Sequence, residues 1–457
     1  MNLKSRALFI FRRDLRIEDN TALNAALQEH GEVVVCFVFS SLQTSEHRYR
    51  SPNGLAFLIE SLEELSTQIA ARGGTLHIFH GDAKSIVGTL IEELSLTAVF
   101  VNKDYTPFSR ERDRGISEVC EARGIEFKSF SDALLVEPSK FGKADGTPYT
   151  VYTPFFKRAA QDSVRRPTTI SEGIISTRVS TIPTVNPRIF WPEQTAPHRI
   201  SHGGRAAALK ILNGIARFQH YDDLRNFPAK AGTTILSPHN KFGTVSIREV
   251  YWCVADAFGT GHTIIRELFW RDFFTHIAWH FPRVFTGAFH PEYDTIRWSN
   301  EEELFKRWCS GTTGFPIVDA GMRELVATGF MHNRVRMIVA SFLVKDLLID
   351  WHWGEAFFAQ HLTEYDPAVN NGSWQWAAST GCDAQPYFRI FNPWLQQKRF
   401  DPECEYIKKW VPELEGASAK EIHSLEEDTL FRPGSYPRPV VDHRAQKILA
   451  TALFKEL

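Results

Sequence analysis

Gly329-Phe330-Met331-His332-Asn333-Arg334-Val335-Arg336-Met337 runs straight into Ile338-Val339-Ala340-Ser341-Phe342-Leu343-Val344, where no residue carries a charge. So apolar a run predicts a buried helix, whose first turns carry Asn333 and two arginines into or beside the interior. Helical spacing sets Asn333, Arg336 and Met337 on one face and turns Arg334 towards another. A buried arginine needs an anionic partner, because an unpaired interior charge is strongly destabilising. Candidates stand downstream in Glu364-Tyr365-Asp366-Pro367-Ala368-Val369-Asn370-Asn371-Gly372-Ser373-Trp374-Gln375-Trp376. Acid, amide, then paired tryptophans is an unusual order for a helix that only fills a core. A structural ion pair beside an aromatic core is the plainer reading of the local pattern.

Outward from this segment the chain reads as helical back to Gly203-Gly204. Helices are expected at 205–221, 246–259, 264–281, 300–310, 316–327, 331–351 and 354–362, broken at glycine and proline. Before them, 131–200 is punctuated by eight prolines and reads as a long irregular connector with an excess of positive charge. Residues 1–130 alternate strand and helix. Apolar runs at 7–11, 33–39, 75–79 and 98–102 look like buried parallel strands, with a weaker fifth at 125–130. The helix at 53–71 repeats Leu55, Leu58, Ile59, Leu62 and Leu65 at helical spacing. The expected architecture is therefore an open parallel α/β domain (1–130), a connector (131–200) and an all-α domain (201–457). The first strand is followed by no Gly-x-Gly-x-x-Gly and the chain has no P-loop, so ordinary dinucleotide or nucleotide-triphosphate binding is not indicated.

Composition narrows the class. A chain of 457 residues, 43% hydrophobic and 23% charged, has room for two cores. Its apolar runs are too short for a membrane span or an export signal. Six scattered cysteines without Cys-x-x-Cys or paired histidines argue against a disulfide framework or a metal site and fit a reducing cytoplasm. The net charge of -2 does not advertise a nucleic-acid binder, yet one basic face suffices.

Two further stretches carry donor groups. Tyr221-x-x-x-Arg225-Asn226-Phe227-Pro228 leads to Gly232-Thr233-Thr234-Ile235-Leu236-Ser237, whose hydroxyls before a helix suit phosphate oxygens or a simple N-cap. Glu267, Trp270 and Arg271 fall at i, i+3 and i+4, hence on one helix face, where a glutamate and an arginine are ordinarily a surface ion pair.

Asn333-Arg334-Val335-Arg336, Asn370 to Ala378 and Tyr387-Phe388-Arg389-Ile390-Phe391-Asn392-Pro393 closely resemble, in order and spacing, the FAD-binding domain of the DNA photolyase/cryptochrome family. The resemblance extends from Phe11-Arg12-Arg13-Asp14-Leu15-Arg16, through Tyr149-Thr150-Val151-Tyr152-Thr153-Pro154-Phe155, to Trp410-Val411-Pro412-Glu413-Leu414. It is closest to the class I enzymes that repair cyclobutane pyrimidine dimers, a light-driven carbon–carbon lyase reaction. It implies that Tyr221, Thr233, Thr234, Ser237, Arg271, Arg336, Glu364, Asp366 and Asn370 bind FAD. Glu267, Trp270, Asn333, Met337 and Trp376 would receive the flipped-out dimer, the two tryptophans stacking its bases. Asn370 would face the flavin ring, where an amide can both donate and accept. Trp374, Trp351 and Trp298 match the family's electron relay. Arg334 and Arg389 would contact DNA phosphates, positioning the strand without reading its sequence.

Glu364 departs from the family's usual aspartate. At the second, antenna site folate-type relatives carry Asn-Glu where this chain has Phe108-Ser109, whereas Asp104 and Lys241-Phe242-Gly243 look like the deazaflavin type. The resemblance further implies a cytoplasmic monomer acting on ultraviolet-damaged DNA, duplex or single-stranded. A cryptochrome photoreceptor and a (6-4) photoproduct photolyase are the rival readings. Asn370, where plant cryptochromes carry aspartate, argues against the first; Asn333, where the (6-4) branch has histidine, and Met337 argue against the second.

Overall fold

Residues along β1 (Asn2–Phe11) and β2 (His30–Phe39) alternate between two apolar layers. Ala7, Phe9, Phe11, Val33, Val35 and Phe37 pack with the helices Thr21–Glu29 and Pro52–Ala70. Leu8, Ile10, Val34 and Cys36 pack with Ala83–Leu94 and Pro107–Glu121. Successive side chains of a strand point to opposite faces, and burial of both faces is why these runs read as continuously apolar. The computed structural model describes residues 2–427 and 435–455. With β3 (Leu76–His80), β4 (Ala98–Asn102) and β5 (Glu126–Phe130), the strands form a parallel sheet in the order β3-β2-β1-β4-β5. Ile10 lies opposite Cys36 on one side and Val101 on the other. The order in which strands are added reverses between β1 and β4, so their carboxyl ends open the crevice where such sheets take ligands.

The chain forms two compact units. The first runs from β1 to Gln194 and adds Ser201–Arg217 and Ile235–Pro282; the second comprises Thr195–Ile200, Phe218–Thr234 and the described residues from Arg283 onward. The first unit holds a buried knot of charge. Arg16 donates to Asp132 at 2.6 Å, while Arg248 donates to Asp19 and to Asp132, each at 2.7 Å. Ser246 adds a hydroxyl to Asp19 at 2.6 Å. Burying single charges would be costly, but here each is hydrogen-bonded to an opposite one.

The connector is less irregular than its prolines suggest. It contains a helix, Tyr152–Ala159, and a two-residue strand β6 (Ile174–Ile175) that pairs with Glu32 and Val33 of β2. Pro154 falls in the first turn of that helix, where backbone N–H groups have no intrahelical partner and proline breaks nothing.

Two of the expected helices are divided. The one expected over 205–221 stops at Asn213 before Gly214, and Tyr221 begins a separate short helix, Tyr221–Leu224. The one expected over 331–351 is Asn333–Ser341 followed by a wide π turn, Phe342–Asp346. Leu348 then adopts a left-handed conformation, φ 53°, and Asp350 caps a new helix, Trp351–His361, by accepting from His352 N at 3.0 Å. The capping aspartate was the local signal, masked by the apolar run around it. Ile247–Phe258, Thr263–His280, Glu302–Cys309 and Pro316–Thr328 fall within two residues of expectation.

Candidate active site

Helix Asn333–Ser341 of the second unit starts from a histidine cap. His332 Nδ1 accepts from Arg334 N at 3.2 Å, and burial, with Arg336 and Arg334 nearby, depresses the imidazole to about 4. Arg336 donates through Nε to the Met331 carbonyl at 2.7 Å and through its terminal nitrogen to Glu364 Oε1. Arg336, expected to be buried, is half-buried, and its acid is the buried glutamate 28 residues away in sequence. Glu364 is 7% exposed, and its second oxygen is buried without a partner among the described residues. Asn333, expected in or beside the interior, is exposed, and Met337 is half-buried. The first turn directs Asn333 outward yet already buries Val335, and from Ile338 to Ser341 every residue is buried.

Arg334 leaves the helix on another face, as its spacing requires. It donates to Asn226 Oδ1 at 2.7 and 3.2 Å and lies 4.4 Å over the Phe400 ring. Burial lowers its pKa, and Arg225 and Arg399 lower it further, so three guanidinium groups share one neighbourhood. Arg389 is exposed at the other sequence-predicted phosphate position. The anchoring role of Asn226 has no sequence signal, since 108 residues separate it from Arg334.

On helix Pro367–Ala378 the polar residues divide into two sets. Asp366 caps the helix, accepting from Ala368 N and Val369 N at 3.0 and 3.2 Å, with Pro367 preset for its first turn. Asn370 donates to the Glu355 carbonyl at 3.1 Å, which fixes its amide plane. One residue on, Asn371 donates to the Val284 carbonyl and to Glu355 Oε1, and Gln375 to the carbonyls of Val284 and Gly287. These two amides tie the helix to the segment before it, a structural task that a run of amides does not advertise.

Trp374 and Trp351 are each 2% exposed and Trp298 is half-buried, all three packed in one apolar cluster. Trp374 meets Phe358 at 5.0 Å and Trp308 at 6.2 Å, both near edge-to-face. Trp376, half-buried, packs against the same cluster.

Glu267, Trp270, Arg271 and Ser237 belong to the first unit; the other residues that the resemblance assigns to flavin, lesion and relay belong to the second. Arg271 donates to the carbonyls of Ala133 and Asn240 and to Asp272 Oδ1 at 3.1 Å. Asp272 in turn accepts from Leu135 N and Val136 N at 2.7 and 3.0 Å, so the arginine is anchored on the connector. Trp270 is half-buried with Tyr152 stacked on it. In the hydroxyl loop, Thr233 and Thr234 are half-buried and Ser237, first residue of a short helix, is exposed. Ile235 between them holds φ 54°, a costly conformation for a β-branched residue and one that collects at ligand-gripping loops.

At the carboxyl ends of β1 and β4 a small pocket is lined by Arg12, Arg13, Asp14, Asn102, Lys103 and Asp104, among others. Asp104 accepts from Ser109 at 2.9 Å and from Arg13 at 3.3 Å. Burial pushes its carboxyl up, but Arg13, Arg112 and Lys241 outweigh that and hold it well below the usual carboxylate range. Gly243 has φ +64°, and a Cβ there would stand 2.1 Å from the Arg13 carbonyl oxygen, so only glycine permits this approach.

Residues 7–171 match the family profile described as DNA photolyase, and residues 264–456 the profile described as the FAD binding domain of DNA photolyase. A deoxyribodipyrimidine photo-lyase of Synechococcus is 38% identical over 98% of this chain and 96% of its own length. This chain belongs to the DNA photolyase family. The Halobacterium salinarum deoxyribodipyrimidine photo-lyase is 36% identical over 98% of both chains. Among solved structures, an archaeal photolyase from Sulfolobus tokodaii aligns at TM-score 0.88 and 40% identity, covering 99% of this chain and all of that one. A cryptochrome of Synechocystis aligns at TM-score 0.90 with 27% identity over 99% of this chain and all of its own. It shares the architecture at lower identity. The helical part of this photolyase-family chain is thus an FAD-binding domain, and its polar groups fit a flavin. Glu364 retains a buried acceptor without a donor among the described residues, beside the Arg336 guanidinium, and an isoalloxazine edge carries the N–H and carbonyl groups that such a pair can engage.

Proposed function

We propose that this chain is a deoxyribodipyrimidine photo-lyase that splits cyclobutane pyrimidine dimers in damaged DNA, using light and FAD. The observation that carries the reading is whole-length similarity, at 36–38% identity, to chains of that name. When bound, reduced and photoexcited FAD supplies the single electron that opens the cyclobutane ring and recovers it afterwards. In the second unit, Arg336 and Glu364 hold the flavin ring edge, with the Arg336 charge favouring its anionic form. Asp366 fixes the start of the helix that carries Asn370, and the Asn370 amide meets the ring. Tyr221, Thr233 and Thr234 there are proposed phosphate donors; in the first unit, considered by itself, the donors assigned to this role are Ser237 and Arg271.

In the second unit Asn333, Met337 and Trp376 are the proposed lesion-engaging groups; in the first unit they are Glu267 and Trp270. The tryptophans stack extruded bases and the Glu267 carboxyl hydrogen-bonds a pyrimidine edge. The Arg334, Arg225 and Arg399 neighbourhood, with Arg389, neutralises backbone phosphates of duplex or single-stranded DNA. Trp374, Trp351 and Trp298 pass electrons inward from an external reductant, a route supported by their common cluster and by the partial exposure of Trp298. At the β1/β4 crevice the acid–base set around Asp104 suits a flavin-type antenna, deazaflavin or a second flavin, in preference to a folate. The Sulfolobus tokodaii relative is described with two FAD molecules, with the implication of a novel light-harvesting cofactor. The functional partition we propose is antenna (1–130), connector (131–200) and catalytic domain (201–457), in a cytoplasmic monomer. No helix among the described residues is long and apolar enough to cross a membrane.

The test is direct. Dimer-containing DNA is incubated with photoreduced protein in blue or near-ultraviolet light and in darkness. Dimer loss in light alone is expected; equal loss in both, or none in either, refutes the function. Absorbance of the chromophores released on denaturation identifies the antenna.

A further inference from the structure

We infer that Tyr152, in the connector helix Tyr152–Ala159, is a positioning residue for lesion recognition. It forms the fixed rear layer of a stack on which Trp270 receives an extruded base. This rests on the reading of Trp270 as a lesion-stacking residue. The Tyr152 and Trp270 rings are 3.6 Å apart and within 7° of parallel. Behind them the stack continues, since Phe156 lies one helical turn on, 5.9 Å from the Tyr152 ring at 17°. Phe273 closes the side, edge-on to Tyr152 at 5.7 Å and to Trp270 at 5.8 Å. The Tyr152 hydroxyl donates to the Arg266 carbonyl at 2.7 Å, and the Arg266 guanidinium lies 5.0 Å over Phe156. Tyr152 is 8% exposed, whereas Trp270 keeps part of its surface open.

These contacts hold Trp270 in one orientation before any DNA arrives. A free surface tryptophan must give up rotamer freedom to stack on a base, and a ring already stacked from behind has given it up on folding. The gain applies only to a base that has left the duplex, so Tyr152 should raise preference for damaged DNA and not affinity for DNA in general. Glu267, one turn before Trp270 on the same helix, is electrostatically coupled to the Tyr152 hydroxyl. The rear layer and the proposed pyrimidine-binding carboxylate therefore share one neighbourhood.

The experiment measures, in darkness with flavin-loaded protein, dissociation constants for a dimer-containing and an intact duplex oligonucleotide. Tyr152→Leu should lower the preference for the damaged strand by roughly three- to tenfold, with binding of intact DNA unchanged. Tyr152→Phe keeps the stack, loses only the hydroxyl, and should retain the preference. In a Trp270→Ala background Tyr152→Leu should have no further effect. Should Tyr152→Leu fail to fold, Tyr152→Met removes the aromatic face with a pliable apolar chain and serves in its place. If Trp270→Ala lowers the preference but Tyr152→Leu does not, or lowers both substrates alike, the role of Tyr152 is refuted alone. If Trp270→Ala leaves the preference intact, the reading of Trp270 falls and takes this inference with it.

Discussion

Gly354→Ala sets two effects of known sign against each other. Gly354 lies in helix Trp351–His361, where replacing glycine by alanine ordinarily stabilises by about 1 kcal/mol. Here, however, a Cβ would fall 2.1 Å from Trp374 Cη2, 2.5 Å from its Cζ3 and 2.6 Å from Leu343 Cδ2. The indole cannot step aside, because Trp374 is 2% exposed and hemmed in by Phe358 and Trp308. Overpacking of a dense core costs about 1–3 kcal/mol, and a clash this close belongs at the upper end. The net expectation is destabilisation by about 2 kcal/mol, a fall in Tm of about 4–8 °C. Gly115→Ala is the control, since its nearest new neighbour is the flexible Lys84 side chain at 3.5 Å. That variant should gain close to the full helical increment, about 1 kcal/mol. Thermal unfolding followed by circular dichroism measures both, and near-ultraviolet ellipticity reports the displaced indole. A Gly354→Ala protein that melts above the parent would show that Trp374 is not confined as described.

His332 is held at about 4 by burial and by Arg336 and Arg334, below its ordinary value near 6.5, so the folded state binds fewer protons between those limits. Its contribution, up to about 3 kcal/mol, is present above pH 6.5 and is lost as pH falls towards 4. Urea unfolding at stepped pH should show a shallower acid loss for His332→Asn, which can still cap the helix. Trp374→Phe should photoreduce oxidised FAD far more slowly with an external thiol, yet repair dimers normally once chemically reduced. Photoreduction at the parent rate would exclude the proposed relay. Arg334→Ala should reduce the slope of log affinity against log salt by about one phosphate contact, read by fluorescence anisotropy, and an unchanged slope would remove Arg334 from the DNA surface.

Elements governed by local periodicity were legible in the sequence. Four of the main strands are legible as apolar runs buried on both faces, and most helices are legible from their repeats. β5, a weaker signal, lies at the end of the strand order and is only partly buried. The pairing of Arg336 with an acid is legible from the cost of a lone interior charge, although it is the partner Glu364, not the half-buried arginine, that is buried. Features set by long-range contact were not legible. Asn226 anchors Arg334, Ala133 receives Arg271, and Tyr152 backs Trp270, each pair more than a hundred residues apart. The break between Ser341 and Trp351 was hidden for another reason, because its residues are as apolar as the helix they end. Only the cap at Asp350 betrays it. Proline misled in the connector, where its position in a first turn mattered more than its presence.

Arg16 and Asp19 follow β1, Asp132 follows β5, and Arg248 comes 116 residues later still. Exchange of segments between this chain and another that lacks the same four residues is constrained by that arrangement. A recombination junction anywhere between 132 and 248 would give a sheet from one lineage the counterion of another, leaving buried charges to find partners that had never been selected with them. Only crossovers that move all four positions together keep the knot intact. Diversification of the amino-terminal half should therefore proceed by substitution within an inherited frame, not by trading whole modules.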